Sequence, residues 1–175
     1  MGDEAVSAGA DMAAPALRPA LPADAPRLAE IFREAVLELA ADEYDDDQRN
    51  AWASAAEDVP AFAQRIAQML TIVATREGEP MAFASLEDGD MVAMLYVHPD
   101  VAGQGYARAL VDALERLAFA RGKAKISADA SDVSRGFFER RGYHATQRNT
   151  VFRAGEWLAN TTMVKELTSQ GKPLQ

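Results

Sequence analysis

The chain has 175 residues, 49% of them hydrophobic and 26% charged, with a net charge of −9, no cysteine and two histidines. This length suits one domain with a sizeable core, and the composition is ordinary for a folded domain. The lack of thiols excludes a disulfide framework, thiolate-held zinc and a cysteine nucleophile; the separated His98 and His144 argue against a histidine metal site, and the acidic balance disfavours nucleic acid and anionic membranes as partners.

Met1 to Ala16 holds six alanines, three acids and no base. It therefore has neither the basic start nor the continuous apolar run of a signal peptide. Residues 1–16 read as a mobile tail of a cytoplasmic protein, and residues 17–168 as the folded domain. A short strand is expected at about Leu17 to Ala20. Asp24 then caps a helix with Pro26 in its first turn, and Leu28, Ile31, Phe32, Ala35, Val36 and Leu39 form one apolar stripe. Residues 42–50 read as a polar, acidic connection, followed by a second helix on Val59, Phe62, Ile66 and Met69.

The period then changes to that of strands. Residues 71–75, 81–86 and 91–97 are apolar runs separated by Glu77-Gly78-Glu79-Pro80 and Asp88-Gly89-Asp90, which predicts an antiparallel meander. A helix carrying Leu110, Val111, Leu114, Leu117 and Ala118 ends near Gly122. A strand follows at Lys125 to Ala130, then a helix from Val133 to Arg141 stopped by Gly142. A hairpin of residues 143–152 and 157–167 closes the domain, leaving 169–175 as a C-terminal tail. The whole is one mixed α/β domain.

The charge divides unevenly: −14 over residues 1–100, +4 over 101–150 and +1 over 151–175. Within the basic segment, the strand ending at Leu95-Tyr96-Val97 runs through Ala102-Gly-Gln-Gly-Tyr-Ala-Arg108 into a helix. Gly103 and Gly105 permit tight bending and close approach to a ligand, and the helix start offers unpaired N–H groups suited to a pyrophosphate, with Arg108 in the same turn. No Gly-Lys-Ser/Thr follows, which argues against a P-loop. The turn follows antiparallel strands instead of opening a βαβ unit, which argues against a dinucleotide fold.

Leu95-Tyr-Val-His-Pro99, Gly103-Gln-Gly-Tyr-Ala107 and, about 25 residues later, Asp129-Ala-Ser131 with Phe137-Phe-Glu-Arg-Arg-Gly-Tyr143 together resemble the GNAT superfamily of acyl-CoA N-acyltransferases. The resemblance extends from about Leu17 to Leu167, with Tyr44, Trp52 and the Trp157 to Lys165 ending resembling a bacterial acetyltransferase branch. It implies a single-domain α/β fold with a mixed, mostly antiparallel sheet flanked by helices. It also implies acetyl-CoA as cosubstrate, with no metal. The cofactor pyrophosphate would lie on main-chain N–H groups of Ala102, Gly103, Gln104, Gly105, Tyr106, Ala107 and Arg108. The pantetheine would lie along Leu95, Tyr96 and Val97, with Ser131, Ser134, Phe137 and Phe138 on the other wall.

The implied reaction is direct acetyl transfer to a primary amine of a small molecule or peptide, by a monomer or homodimer. The alternative is a non-catalytic acyl-CoA-binding module on the same fold. Ala102 stands where relatives often carry Gln or Arg, Phe138 where they often carry an acid tyrosine, and Met91, Ala93 and Leu95 offer no carboxylate base. Candidate proton-transfer residues are Tyr96, which alternates away from Leu95 and Val97, Glu87 and Tyr44. The acidic run at 42–47 reads as a solvated loop, or as an attractor for a cationic amine, with Trp52 and Trp157 as candidate apolar walls.

Overall fold

The apolar runs of the middle of the chain form the centre of a seven-stranded sheet in the computed structural model, which describes residues 14–168. The expected tails, apart from 14–16, lie outside the described residues, and Ala16 opens the first strand by pairing with Thr75. The strands are β1 (Ala16–Pro19), β2 (Leu70–Arg76), β3 (Glu79–Glu87), β4 (Met91–Val97), β5 (Lys125–Ser131), β6 (His144–Arg153) and β7 (Glu156–Glu166). They lie in the order β1-β2-β3-β4-β5-β7-β6, and only the β4–β5 pair is parallel. Each tight hairpin has two successive residues at positive φ, as at Asp88 (53°) and Gly89 (83°), a backbone twist that matches the strands it joins.

The helices are α1 (Ala25–Glu34), α2 (Asp46–Ala53), α3 (Val59–Ala67), α4 (Tyr106–Ala120) and α5 (Arg135–Arg140). On one face of the sheet, Leu110, Val111 and Leu114 of α4 pack over Ala84, Leu86 and Ile126. On the other, Leu28, Ile31 and Phe32 of α1 join Phe62 of α3 over Val73 and Phe83. Covered on both sides, β3 is buried from Pro80 to Leu86, and each large apolar side chain so buried contributes about 1.5–3 kcal/mol.

Three local departures from the expected pattern shape the region around β4. The α1 stripe ends at Val36, because Ala35–Leu39 winds as a π turn that shifts the helical phase; Ala40 is buried and Leu39 is 38% exposed. The acidic connection contains α2. Its amphipathic stripe is weak, but Asp45 accepts from the Gln48 N–H at 2.8 Å while Gln48 Oε1 accepts from the Asp45 N–H at 3.0 Å. This capping box, with Asp46 and Asp47 in the first turn, supplies the start that the stripe does not. Finally, Ser85 pairs with Met94 and Leu86 with Val92, leaving Ala93 as an extra residue in β4. This bulge puts Val92 and Leu95 on the α4 face and Met94 and Tyr96 on the α1 face. Met91, Ala93 and Leu95 therefore do not share a face, contrary to simple alternation.

Candidate active site

Strands β4 and β5 pair only at Met91 with Ser127 and Val92 with Ala128, then separate. The His98 N–H donates to the Met81 carbonyl at 2.8 Å, so antiparallel alternation turns Tyr96 and Met94 towards β3 as well. The main-chain groups of Leu95 and Val97 accordingly face the gap. An extended chain bearing amides fits that edge as an added strand would.

The turn that follows closes one end of the gap. Gly103 and Gly105 have φ of 75° and 85°, and a Cβ built on either meets nothing within 4 Å. Open space therefore lies over the start of α4, where the first N–H groups have no carbonyl one turn back. Ala102, Gly103, Gln104 and Arg108 are exposed, and Arg108 has no ion pair among the described residues. Tyr106 sends its side chain into the core beside Leu110, leaving only its main chain at the turn. His98 anchors this loop: Nδ1 accepts from the Asp100 N–H at 3.1 Å, and Nε2 pairs with Glu34 of α1.

Two cavities meet at the gap. The first, of about 240 Å³, runs from Leu95 and Val97 to Ser131, Ser134, Phe137 and Phe138, and is roofed by the π turn of α1. The second, of about 200 Å³, lies towards α3 and the β6–β7 hairpin and includes Glu87, Arg65 and Arg153. Trp52, Ala93, Met94, Tyr96, Asp129 and Ser131 line both. Ser131 Oγ also lies 3.1 Å from Ser134 Oγ and accepts from the Ser134 N–H, which holds the wall at the start of α5. Phe138 is buried and packs edge-to-face against Phe137 and Tyr143, with centroids at 5.2 and 4.9 Å.

The three candidate proton-transfer residues occupy different settings. Trp52 Nε1 donates to the Tyr96 hydroxyl at 3.2 Å, and Phe32 lies 4.4 Å from its ring. Burial pushes the Tyr96 phenol up to about 12, so at neutral pH it keeps a proton to donate. Tyr44 is also raised, chiefly by burial. Its hydroxyl is committed, donating to the Ala159 carbonyl at 2.7 Å and accepting from the Asp132 N–H at 2.9 Å. Glu87 is exposed at the end of β3 and borders the second cavity. Of the acidic run, only Tyr44 lines that cavity; Asp45 caps α2 and Asp46 pairs with Arg49. Trp157 is 60% exposed and stacks on Phe152 at the hairpin instead of walling the site.

A sequence model of the acetyltransferase (GNAT) domain matches residues 40–167. The chain belongs to the GNAT acetyltransferase family. It is an enzyme of the N-acetyltransferase class. It is 30% identical over 142 residues to the uncharacterized N-acetyltransferase YafP of Escherichia coli strain K12, covering 81% of this chain and 89% of that protein. The GCN5-related N-acetyltransferase structure from Rhodopseudomonas palustris is 53% identical, with a TM-score of 0.88 over 89% of this chain and 98% of that one. The structure of yncA from Salmonella typhimurium, solved with its cofactor acetyl-CoA, is 26% identical with a TM-score of 0.59, over 91% and 98% of the two chains.

In this GNAT chain the site also contains a carboxylate outside the three sequence candidates. Asp129 borders both cavities and accepts from the Thr162 hydroxyl at 2.7 Å. Its signal was period two: Ser127, Asp129 and Ser131 alternate with buried Ile126, Ala128 and Ala130. No group of three or more potential metal ligands occurs among the described residues, and no helix there is long and apolar enough to cross a membrane.

Proposed function

We propose that this chain transfers the acetyl group of acetyl-CoA directly to a primary amine of a small molecule. The observation that carries this reading is the unpaired β4 edge beside β5, where one cavity offers main-chain pairing and the other opens to an acceptor. Acetyl-CoA, when bound, supplies an acetyl group activated as a thioester. The gap fits a pantetheine arm along Leu95 and Val97, and the open space over Gly103 and Gly105 fits a pyrophosphate on the N–H groups of the α4 start. Ser131, Ser134 and Phe137 form the facing wall, and Arg108, exposed in the first turn of α4, adds positive charge beside the glycine turn.

Each chain residue then has a definable task. Asp129 accepts the proton that the attacking ammonium must lose, since it borders both the acceptor and cofactor cavities. The Val97 N–H donates to the carbonyl oxygen of the transferred group. Tyr96, protonated at neutral pH, donates a hydrogen bond to the sulfur as the carbon–sulfur bond breaks and its electron pair remains on sulfur. The nitrogen–carbon bond forms in the same exchange, and the second proton released from that nitrogen passes to the departing thiolate, giving an acetylated amine and free CoA thiol. Tyr44 positions the site by tying β7 to the β5–α5 loop, and with no cysteine in the chain no cysteinyl relay intervenes.

The test is thiol release from acetyl-CoA with a panel of amines, together with calorimetric titration of CoA. Saturable CoA binding with amine-dependent thiol release is expected. Failure to bind CoA would overturn the reading.

A further inference from the structure

The second cavity carries an unusual balance of charge. Arg65, in the last turn of α3, and Arg153, at the end of β6, both line it, on elements distant in sequence. Neither has an ion-pair partner among the described residues, although Glu156 lies opposite Arg153 in the hairpin register. Both are exposed where they line the cavity, and both guanidiniums oppose the upward effect of burial on the Tyr96 phenol. The carboxylates of the same cavity are Glu87 and Asp129, of which Asp129 alone also borders the cofactor side.

We infer that the acceptor is a small amine that also carries a carboxylate, bound with its nitrogen towards Asp129 and its carboxylate towards Arg65 and Arg153. This rests on the acetyl-transfer reading and adds the acceptor's chemical class. A polycationic amine would meet two uncompensated guanidiniums, and a simple alkylamine would leave both without a partner. A zwitterion satisfies both ends. The guanidinium fork suits a planar carboxylate, and a charge-assisted hydrogen bond contributes more than a neutral one. A cavity of about 200 Å³ holds an amino acid, whereas the length of a peptide would have to extend outside it.

The experiment compares matched acceptors on the full chain: the protein amino acids, β-alanine and γ-aminobutyrate, each against its amide and its decarboxylated amine. Acid-bearing members are expected to have higher kcat/KM than their neutral partners. In Arg65→Gln and Arg153→Gln, the acid-to-amide ratio should fall by about 10-fold or more, while calorimetric CoA affinity is retained. Circular dichroism of the variants excludes misfolding as the cause. Preference for amides, decarboxylated amines or polyamines would overturn the inference, as would an unchanged ratio in both variants. Acetyl-CoA binding with no acid-bearing amine acetylated would also overturn it while leaving the cofactor reading intact. Absence of CoA binding would instead remove the underlying activity.

Discussion

Trp52 of α2 donates its indole N–H to the hydroxyl of Tyr96 on β4, 3.2 Å away, at the point where the two cavities meet. The bond occupies a lone pair of the phenol oxygen and leaves the phenolic proton for another acceptor. It therefore orients a donor instead of creating a base. The same contact joins a helix started by its cap to a strand turned by a bulge.

Tyr96→Phe should lower kcat by about 10- to 100-fold with little change in CoA affinity, because it removes a donor but preserves the ring contacts with Phe32 and Phe83. Trp52→Phe should produce a smaller loss, since the phenol survives but is less well oriented. Steady-state kinetics with calorimetric CoA binding separates these effects. Equal losses of kcat and CoA affinity would assign both residues to packing.

Asp129→Asn should reduce kcat by about 10²- to 10⁴-fold at neutral pH, the range for loss of a positioned general base. The amide can still accept from the Thr162 hydroxyl, so folding should be retained. The diagnostic readout is the pH profile. In the variant, activity should recover as pH rises and more acceptor amine is already deprotonated, with a slope absent from the parent enzyme. A flat profile for the variant would contradict the assignment.

Much of this arrangement was legible in the chain because strands and tight turns leave strong local marks. The runs around Val73, Phe83 and Met94, separated by Gly78 and Gly89, give the meander directly. The linked Gly103–Ala107 and Asp129–Tyr143 motifs gave the family. Helix α2 was hidden because capping by Asp45 and Gln48, instead of an apolar stripe, supports its start. The bulge at Ala93 was equally silent, since one extra residue changes facing without changing composition. Arg65 and Arg153 carry no motif. Only the tertiary fold brings α3 and the end of β6 to one cavity.

Alkaline titration should reveal Tyr96 as a late phenol. Its folded value of about 12 lies above the ordinary value of 10.0, so the native state retains the proton longer than the unfolded chain. The contribution to stability is present below pH about 10 and is lost as pH rises towards 12, amounting to on the order of 2 kcal/mol. Phenolate absorbance and urea unfolding, measured across that interval on the parent and Tyr96→Phe, check the sign. The variant should lose less stability with rising pH.

Gly105→Val and Gly122→Ala should separate backbone strain from cofactor binding. The two glycines have φ of 85° and 82°, and a Cβ at either meets no heavy atom within 4 Å. Each substitution should therefore cost roughly 1–2 kcal/mol through the left-handed backbone rather than through collision within the protein. Only Gly105 caps the start of α4 beside the proposed pyrophosphate position, whereas Gly122 follows the end of that helix. CoA affinity should fall at least about 10-fold for Gly105→Val and remain unchanged for Gly122→Ala. Equal affinity in both folded variants would remove the phosphate role of the turn.

The buried Glu115–Lys165 pair should behave as a structural unit remote from acceptor choice. Glu115 and Lys165 are only 2% and 3% exposed, with Lys165 Nζ at 3.1 and 3.0 Å from the two carboxylate oxygens. Tyr143 donates to the same carboxylate at 3.0 Å, and burial together with Glu115's negative charge holds its phenol far above the usual range. Lys165→Met removes the close cation and leaves the buried carboxylate only the Tyr143 hydroxyl and Arg141 at 3.7 Å, which should destabilise by about 3 kcal/mol; adding Glu115→Gln removes that charge and should recover part of the loss. The Tyr143 hydroxyl can still donate to the Gln side-chain oxygen. Urea unfolding of the two singles and the double tests this, and an additive double variant would show that the charges are not coupled.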